Sequence, residues 1–411
     1  MKKIEVLISN LDHQGRGIAR VDNKVIFIPF ALPGDKLLIE VIKEKKNFCE
    51  GKILEYINKS NMHTKQNCPY FEVCGGCDLR HMDYNNQLKY KENKVKEILK
   101  KFSKIDGIKV NNILECENSD GYRNKIKLCV NRKLGLNKKQ SHECINIDYC
   151  LLADSNINKI IHILNNYNLD NVNEVLIRSS YFTKDKMIVF SVKNGKKLDI
   201  NLTEFEKMGI NIIVQNGNNQ EILTKKGNII EKLNNISYII SPSSFFQINT
   251  RQTLKLYDLI LKKCNLKGKE IVYDLYCGTG TIGIYLSNNC KKVIGIEINE
   301  EAVKDARANV KLNDIKNCEF YSGDVSDVIS SQTEPADIIV VDPPRAGLDN
   351  VTIENMFRLN PKKIIYVSCD PVTLARDLNI LSEKYNIYDV TPVDMFPNTY
   401  HVETVCVLER R

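Results

Sequence analysis

The chain has 411 residues, long for one domain, and 43% of them are hydrophobic, so we expect two or three domains with well-packed cores. Its formal net charge of +8 favours a polyanionic partner without identifying one. No stretch resembles a signal peptide or a membrane span, so we expect a cytoplasmic protein with no membrane partner. Its 14 cysteines should then be reduced thiols, metal ligands or a nucleophile rather than disulfides. No obligate protein partner is evident.

Residues 1–58 are predicted to form a small β-barrel of the OB type. Alternating strand-like segments at Lys3–Ser9, Lys24–Phe30 and Lys36–Lys43 are separated by glycine-containing turns, and about five short strands fit this length. The OB fold often binds nucleic acid, and the basic side chains here would suit phosphates. The alternative is a solvated basic rim on an ordinary β-domain.

Residues 59–235 are predicted to form a mixed α+β central domain. A dense cysteine stretch comes first, and a lysine-rich helical pattern then covers Tyr84–Phe102. Strand-like segments follow at Glu174–Ser179 and Met187–Val192. No internal repeat marks this part of the chain.

Residues 236–411 are predicted to form a Rossmann-like α/β domain. Four short, nearly continuous apolar runs alternate with helical patterns, at Ile271–Leu275, Lys292–Glu297, Ile338–Asp342 and Ile364–Ser368. Such runs are typical of a parallel sheet that helices cover on both faces. The whole chain is therefore expected to be a multidomain α/β protein.

Two motifs at predicted strand ends indicate a cofactor pocket. Gly278, Gly280 and Gly283 have the spacing of a dinucleotide-binding loop, and Glu297 could bind ribose hydroxyls at the end of the next strand. These residues fit NAD and S-adenosylmethionine equally well. The segment Asp342–Arg345 favours S-adenosylmethionine, because an acid followed by two prolines after a central strand is the arrangement of amino- and nucleobase-methyltransferases. A simple proline-rich turn is the alternative.

Cys369 is the predicted nucleophile, because it ends a buried strand directly before Asp370 and Pro371, which can begin a helix. The nearby helix N-terminus would favour the thiolate. A thiolate that adds to carbon 6 of uracil makes carbon 5 nucleophilic toward a methyl sulfonium. For an isolated cysteine the alternative is a small buried apolar residue.

Glu403 is the predicted base that removes the proton from carbon 5, so that the thiolate can leave. It lies in the strand-like segment His401–Val405, whose apolar residues predict burial and a raised pKa. The alternative is a glutamate that faces solvent.

Five ordered motifs together resemble those of the RNA uridine-5 methyltransferase family. They are Ser241–Asn249, Asp274–Gly283, Asp342–Gly347, Ser368–Pro371 and His401–Val405. The resemblance covers essentially the whole chain, since the N-terminal barrel resembles the TRAM domain of the branch that modifies 23S ribosomal RNA. It implies methylation of carbon 5 of a uridine in 23S ribosomal RNA, with RNA as the partner.

The resemblance also implies roles for individual residues. S-Adenosylmethionine would contact Gln247, Tyr276, Glu297 and Asp342, with Asp324 near its adenine. Phe245 and Phe246 would lie near the flipped base, where stacking is useful, and Arg123 would face RNA. Thr281 stands where some relatives carry asparagine, which leaves that contact open.

A second group of cysteines is Cys68, Cys74 and Cys77, followed much later by Cys150. Four thiolates suit zinc. Their uneven spacing resembles the [4Fe–4S] site of the ribosomal-RNA branch, which implies an iron–sulfur cluster with Cys150 as fourth ligand and Cys144 as its rival.

Two other functions remain open at the level of sequence. The first is methylation of uridine in transfer RNA, which is disfavoured because that branch generally lacks the barrel and the cysteine group. The second is a non-catalytic RNA-binding protein, which intact Cys369 and Glu403 disfavour.

Overall fold

The computed structural model describes residues 2–105, 107–217, 219–224 and 226–411. Its first unit is a curled sheet of six strands: β1 Lys3–Leu7, β2 Asn10–Leu11, β3 Gly17–Val21, β4 Lys24–Ile28, β5 Lys36–Glu44 and β6 Phe48–Asn58. Their order is β1-β5-β6-β4-β3-β2. Only Ile8 and Ser9 separate the two edge strands along the chain, so the sheet curls toward closure around an aliphatic core. The predicted small barrel is confirmed, with one more strand than expected.

The central sheet has seven strands around which two helices pack. Its elements are β7 Lys125–Asn131, β8 Lys133–Asn137, β9 Cys144–Asn146, α2 Ser155–Leu164, β10 Val172–Ser179, β11 Lys186–Val192, α3 Thr203–Lys207, β12 Ile210–Asn216 and β13 Asn219–Ile222. The strand order is β13-β12-β11-β10-β7-β8-β9. Apolar residues of α2 and α3 cover one face of this sheet. A separate hairpin follows, β14 Ile229–Leu233 and β15 Ile236–Ile240.

A disulfide joins Cys129 in β7 to Cys144 in β9. Gly135 of β8 lies beside it, and a Cβ on that glycine would come within 2.5 Å of the Cys144 Sγ atom. The expectation that the cysteines are all reduced is therefore wrong for this pair, which no spacing rule identifies because the two strands meet only in the folded sheet. The disulfide also removes Cys144 as a rival metal ligand.

The helix α1, Tyr84–Phe102, has the predicted bounds. The Asp83 side chain accepts a hydrogen bond from the Asn86 backbone N–H and so caps the helix N-terminus. Its apolar face, with Val95 and Leu99, is buried in the core of the C-terminal sheet. By packing, α1 therefore belongs to the C-terminal domain, although it lies far upstream in the chain.

The C-terminal domain is a twisted sheet with helices on both faces. Its elements are α4 Thr250–Cys264, β16 Ile271–Leu275, α5 Thr281–Leu286, β17 Lys292–Glu297, α6 Glu300–Leu312, β18 Cys318–Ser322, α7 Val325–Ser331, β19 Ile338–Val341, α8 Asn350–Leu359, β20 Lys363–Ser368, α9 Pro371–Leu381, β21 Tyr385–Val393 and β22 Glu403–Arg410. The strand order is β18-β17-β16-β19-β20-β22-β21. The four predicted strands are confirmed to within one residue at each end.

The predicted parallel arrangement is confirmed for β16, β17, β19 and β20, whereas β22 runs antiparallel to both β20 and β21. Two cores lie on opposite faces of the sheet, one under α4, α5 and α6 and the other under α1, α7, α8 and α9. The strand order reverses between β16 and β19. Open α/β sheets bind ligands in the crevice at such a point, beyond the carboxyl ends of the strands. Within the described residues, no helix is long and apolar enough to cross a membrane.

Candidate active site and cysteine cavity

The motifs singled out by sequence meet at one edge of the C-terminal sheet. Strands β16, β19 and β20 are adjacent and parallel, so their carboxyl ends lie side by side. Tyr276 follows the first of these strands, Asp342 the second and Cys369 the third. Tertiary structure thus brings together residues that are almost a hundred positions apart.

The glycine turn after β16 has the shape of a ligand cradle. Gly278 has a φ of 54°, and a Cβ there would meet no atom within 4 Å. The Gly278 backbone N–H donates to the Glu297 carboxylate at 3.0 Å, which ties the turn to the end of β17. Gly280 cannot carry a side chain, because a Cβ would lie 2.6 Å from Phe320. The open side of the turn is where a ligand could approach the backbone.

Asp274, beneath this turn, was not singled out by the sequence as a site residue. Its Oδ2 atom accepts a hydrogen bond from the Gly283 N–H at 2.7 Å, whereas its fully buried Oδ1 atom has no partner among the described residues. Burial raises the pKa of Asp274 to about 7. An orphaned buried oxygen beside an open glycine turn fits a polar group of a bound cofactor. The residues present therefore fit S-adenosylmethionine.

The remaining predicted cofactor contacts lie around the same edge. Burial raises the pKa of Asp342 to about 7. Asp324 caps α7, because its carboxylate accepts from the Ser326 N–H at 2.9 Å. The Ser326 hydroxyl also donates to it at 2.6 Å, and this bond, with the backbone bond second, lowers the pKa of Asp324. Gln247 is half-buried, and its backbone carbonyl accepts from the Asn124 side chain at 3.0 Å.

Cys369 lies at the predicted strand-to-helix turn, with Asp370 as the cap of α9. Burial raises the pKa of the Cys369 thiol to about 11, and the carboxylates of Glu403 and Asp342 contribute to the rise. The expectation that the helix N-terminus favours a thiolate is therefore wrong for the free enzyme, because desolvation and neighbouring negative charges outweigh it. Arg345 is the cation that acts against this rise.

Glu403 begins β22 and is only 6% exposed. Its predicted burial is confirmed. Burial, with the charge of Asp342, raises the pKa of Glu403 to about 8. A carboxyl group with this pKa can accept a proton near neutral pH and release it again. Cys369 and Glu403 line the same cleft, whose volume is about 970 Å³.

Arg345 and His401 form a contact in this cleft that the motifs contain but that the sequence did not single out. The Arg345 Nη2 atom lies 3.3 Å from His401 Nδ1. Because a guanidinium only donates, Nδ1 must accept, and the ring proton lies on Nε2. Burial lowers the pKa of His401 to about 4 with help from the Arg345 charge, so the imidazole is neutral.

All three parts of the chain contribute walls to this cleft. Arg16 and Lys43 come from the barrel, whereas Arg123 and Lys139 come from the central domain. With Arg345 these make five cations in the lining, which favour a polyanion such as RNA although three of them also pair with neighbouring carboxylates. The basic residues of the barrel were recognisable in the sequence, but only the fold shows that they line the same cleft as Cys369.

The two phenylalanines predicted near a flipped base have different environments. Phe246 is 4% exposed and packs against Tyr238 with ring centroids 6.0 Å apart. It is thus a core residue that the adjacent hairpin covers, and its place near a flipped base stays a prediction. Phe245 is 65% exposed and free to contact a ligand.

A second cavity of about 530 Å³ is lined by Cys68, Cys74, Cys77 and Cys150, whose thiols are all free. The Gly76 N–H donates to the Cys74 Sγ atom at 3.4 Å. No group of three or more His, Cys, Asp or Glu side chains within the described residues is spaced to hold a metal ion. Four thiols around one cavity nevertheless provide the donor set that an iron–sulfur cluster uses.

This cavity adjoins the active-site cleft. Gly75, Gly76, Arg123 and Gln140 line both of them. Arg123 is further fixed by its Nε–H, which donates to the Lys125 carbonyl at 3.0 Å. The predicted RNA-facing residue therefore stands between the cysteines and the cleft.

The strand order, the glycine turn and the acid at the end of β19 define a methyltransferase of the S-adenosylmethionine-dependent class. Family comparison agrees: residues 266–404 match a methyltransferase domain, residues 2–54 a TRAM domain and residues 83–331 the family described as tRNA (Uracil-5-)-methyltransferase. The last match covers more than half of the chain. The chain belongs to the RNA uracil-5 methyltransferase family, as a member with an N-terminal TRAM domain.

Individual relatives extend over the full length. An uncharacterized RNA methyltransferase of Clostridium acetobutylicum is 38% identical, over 99% of this chain and 96% of its own length. An uncharacterized RNA methyltransferase of Staphylococcus epidermidis is 37% identical, over 100% of this chain and 99% of its own length. Among solved structures, the tRNA (uracil-54, C5)-methyltransferase of Pyrococcus abyssi, in complex with S-adenosyl-L-homocysteine, is similar with a TM-score of 0.80 and 27% identity, over 98% of this chain and 100% of that one.

Proposed function

We propose that this enzyme methylates carbon 5 of a uridine in 23S ribosomal RNA, with Cys369 as nucleophile and Glu403 as base. The observation that carries the reaction is the shared cleft. A strand-end thiol and a buried carboxyl group line one cavity at the carboxyl edge of the sheet. Both groups are needed for chemistry at carbon 5 of a pyrimidine, because that carbon is a weak nucleophile until carbon 6 has been attacked.

In the proposed reaction, the Cys369 thiol loses its proton to water, and the thiolate Sγ atom forms a bond to carbon 6. The electron pair of the C5–C6 double bond moves onto carbon 5, which then bonds to the methyl group as the methyl–sulfur bond breaks. S-Adenosylmethionine supplies the electrophilic methyl group when bound. Glu403 then takes the proton from carbon 5, the double bond re-forms, and the Cys369 thiolate leaves. Arg345 stabilises the thiolate, since its charge lowers the pKa of Cys369.

The residues that would hold the cofactor surround the open glycine turn. We assign this role to Gln247, Tyr276, Glu297 and Asp342, with Asp324 at the adenine side. Asp274 joins them, because its unpartnered Oδ1 atom needs a hydrogen-bond donor in this buried place.

We assign a [4Fe–4S] cluster to Cys68, Cys74, Cys77 and Cys150. The four free thiols around one cavity support this assignment, and the Cys129–Cys144 disulfide favours Cys150 over Cys144 as the proposed fourth ligand. Methyl transfer needs no electron transfer, so the cluster would hold the irregular chain around it in shape.

Transfer RNA is the second candidate substrate. The similar Pyrococcus abyssi structure is named for tRNA and aligns with 98% of this chain, so the match includes most of the barrel. The barrel therefore does not discriminate between the two RNAs. The proposal of 23S ribosomal RNA depends on the spacing of the cysteines, which resembles that of the ribosomal-RNA branch.

One experiment separates these functions. Ribosomal and transfer RNA from cells with and without the gene would be digested, and 5-methyluridine would be mapped by mass spectrometry. Loss of the nucleoside from a 23S fragment, restored by wild type and absent with Cys369→Ala, supports the proposal. Loss from transfer RNA alone would establish the second candidate. Unchanged 5-methyluridine in both RNAs would contradict both methylation functions and favour a non-catalytic RNA-binding protein.

A further inference from the structure

Residues 394–403, here called the catalytic segment, connect β21 to β22 and end at Glu403. The segment contains neither helix nor strand before Glu403. Its internal hydrogen bonds include those from the Thr399 N–H and hydroxyl to the Phe396 carbonyl, at 3.3 and 2.8 Å. A segment with so little regular structure depends on outside partners for its shape.

One face of α1 supplies many of those partners. Tyr84, Gln87, Lys91 and Lys94 follow each other at three- and four-residue intervals, so they line one side of the helix, here called the polar stripe. The Lys91 ammonium donates to the Asp394 carboxylate at 2.5 Å, and the Tyr84 hydroxyl donates to the other oxygen at 2.8 Å.

The polar stripe also reaches further along the segment. Lys91 donates to the Phe396 carbonyl at 2.9 Å, and Lys94 donates to the Tyr400 carbonyl at 2.9 Å. Lys91 and Asp394 have fully buried side chains, so this is an ion pair withdrawn from water. α1 therefore holds the segment from Asp394 to Tyr400.

Asn398, in the middle of the segment, is the point at which three parts of the chain meet. Its backbone carbonyl accepts hydrogen bonds from the Asp78 and Leu79 N–H groups, at 2.9 and 3.0 Å. Its side-chain amide donates to the Ser119 carbonyl at 2.8 Å. Asn398 is 5% exposed and has a φ of 66°, a conformation that asparagine adopts more readily than most residues.

Asp78 and Leu79 end the cysteine loop, residues 68–79, which carries three of the four thiols of the cysteine cavity. Gln87 of the polar stripe joins this loop to Asn398. Its amide N–H₂ group donates to the Leu79 carbonyl at 3.2 Å and to the Asn398 side-chain oxygen at 3.2 Å. Its oxygen accepts from the Asn398 N–H at 2.9 Å.

We propose that Asn398 is a positioning residue that ties the catalytic segment to the cysteine loop, so that the placement of Glu403 depends on the order of that loop. The Asn398 carbonyl is hydrogen-bonded to Leu79, the last residue of the cysteine loop. Along the chain, Asn398 precedes Glu403 by five residues. The inference deepens the proposed function: it assigns to the cysteines the task of keeping the base in place. A displacement of about 1 Å at a reacting group can cost about 10²-fold in rate.

The first test is Asn398→Gly, which removes the side-chain hydrogen bonds to Ser119 and Gln87, keeps the backbone carbonyl that accepts from Asp78 and Leu79, and leaves a residue that tolerates the positive φ. Gln87→Met removes the side-chain bridge between the Leu79 carbonyl and Asn398. Lys89→Gln, on the exposed side of α1, is the matched control. Hydrogen–deuterium exchange of the peptide 393–403 should rise at least tenfold in both test variants and stay unchanged in the control. Equal exchange in all four proteins would overturn the proposal.

Kinetics on total RNA from cells lacking the gene provide a second readout. In Asn398→Gly we expect kcat for 5-methyluridine formation to fall tenfold to about 10²-fold, while KM for RNA changes less than threefold. A structural defect without positioning would lower the melting temperature and leave kcat of the folded protein unchanged, which would contradict the proposal. Inactive wild type would refute the proposed function, whereas the exchange result would still decide the positioning role.

A third measurement tests the connection to the cysteines. Cys150 lies outside both the cysteine loop and the catalytic segment. Where Cys150→Ser lowers the iron content of anaerobically purified protein, it should also raise hydrogen–deuterium exchange of the peptide 393–403. In the double variant with Asn398→Gly the two effects should not add, because both release the same segment. Fully additive effects, or unchanged exchange in iron-depleted Cys150→Ser, would show that the segment is independent of the loop.

Discussion

The edge of the C-terminal sheet and the cysteine loop hold reactive thiols in opposite ways. Cys369 is held by regular structure, since a strand ends before it and a capped helix begins after it. Cys68, Cys74 and Cys77 lie in a stretch of turns with few backbone hydrogen bonds of its own. The first arrangement is rigid without a ligand, whereas we propose that a ligand held by the thiols would order the second.

The two regions differ in the interactions that fix the positions of their side chains. A strand end places a side chain through the hydrogen bonds of the whole sheet, so the chemistry at Cys369 depends on the general fold. The catalytic segment with Glu403 lies between the two cases. Its last residue, Glu403, is also the first residue of β22, whereas the rest of the segment is held by α1 and by the cysteine loop.

The largest expected effect concerns the rigid region. Cys369→Ala should lower methylation at least about 10³-fold, because no other group can attack carbon 6. Binding of S-adenosylmethionine, measured by calorimetry, should stay within threefold of wild type, since the glycine turn and Glu297 are untouched. Residual activity close to wild type, or lost cofactor binding, would remove Cys369 from its assigned role.

Glu403→Gln should allow thiolate addition and methyl transfer but block release, because the neutral amide cannot accept the carbon 5 proton. A covalent protein–RNA adduct should accumulate and run as a slow band on a denaturing gel. The band should need both S-adenosylmethionine and Cys369. Activity loss without any adduct would indicate that Glu403 shapes the pocket instead.

The pH dependence of methylation tests the electrostatics at the carboxyl edge of the C-terminal sheet. The raised pKa values of Cys369 and Glu403, about 11 and 8, mean that both reactive forms become more abundant as pH rises. Because Glu403 acts only after methyl transfer, single-turnover methylation at saturating RNA follows the Cys369 thiolate and should increase up to about tenfold per pH unit between pH 6 and 8. Arg345→Gln should move the profile to higher pH, because the cation that lowers the Cys369 pKa is lost. A flat profile would contradict this picture.

For the ligand-dependent region, protein purified without oxygen should be brown and contain iron. Cys68→Ser, Cys74→Ser, Cys77→Ser and Cys150→Ser should each lower its iron content. Cys144→Ser is the matched control and should keep its iron, since Cys144 is paired with Cys129. Stoichiometric zinc without iron would favour the zinc site, and full iron in Cys150→Ser would exclude that residue as a ligand.

The smallest expected effect, measured as stability rather than as activity, lies at the helix that joins the two regions. Lys91→Met leaves the Asp394 carboxylate buried without its cation and should lower the free energy of unfolding by about 3 kcal/mol. Lys89→Gln, exposed on the same helix, should change it by less than about 0.5 kcal/mol. Urea denaturation measures both, and equal stabilities would show that the buried ion pair contributes nothing net.

Sequence alone determined the elements whose residues carry local patterns. Ile271–Leu275 and Lys292–Glu297 are apolar runs of strand length, and α1 has helical spacing with a capping aspartate, so their bounds follow from short-range rules. Cys369 was recognisable because a strand end and a helix cap are adjacent in the chain.

Tertiary structure alone decided the remaining features, because they join residues far apart in the chain. The Cys129–Cys144 disulfide, the burial of Phe246 and the raised pKa of Cys369 depend on neighbours that no local pattern names. The bonds from α1 to the catalytic segment connect residues more than 300 positions apart. Lys91 looks like any other lysine of a basic helix until the fold buries it against Asp394.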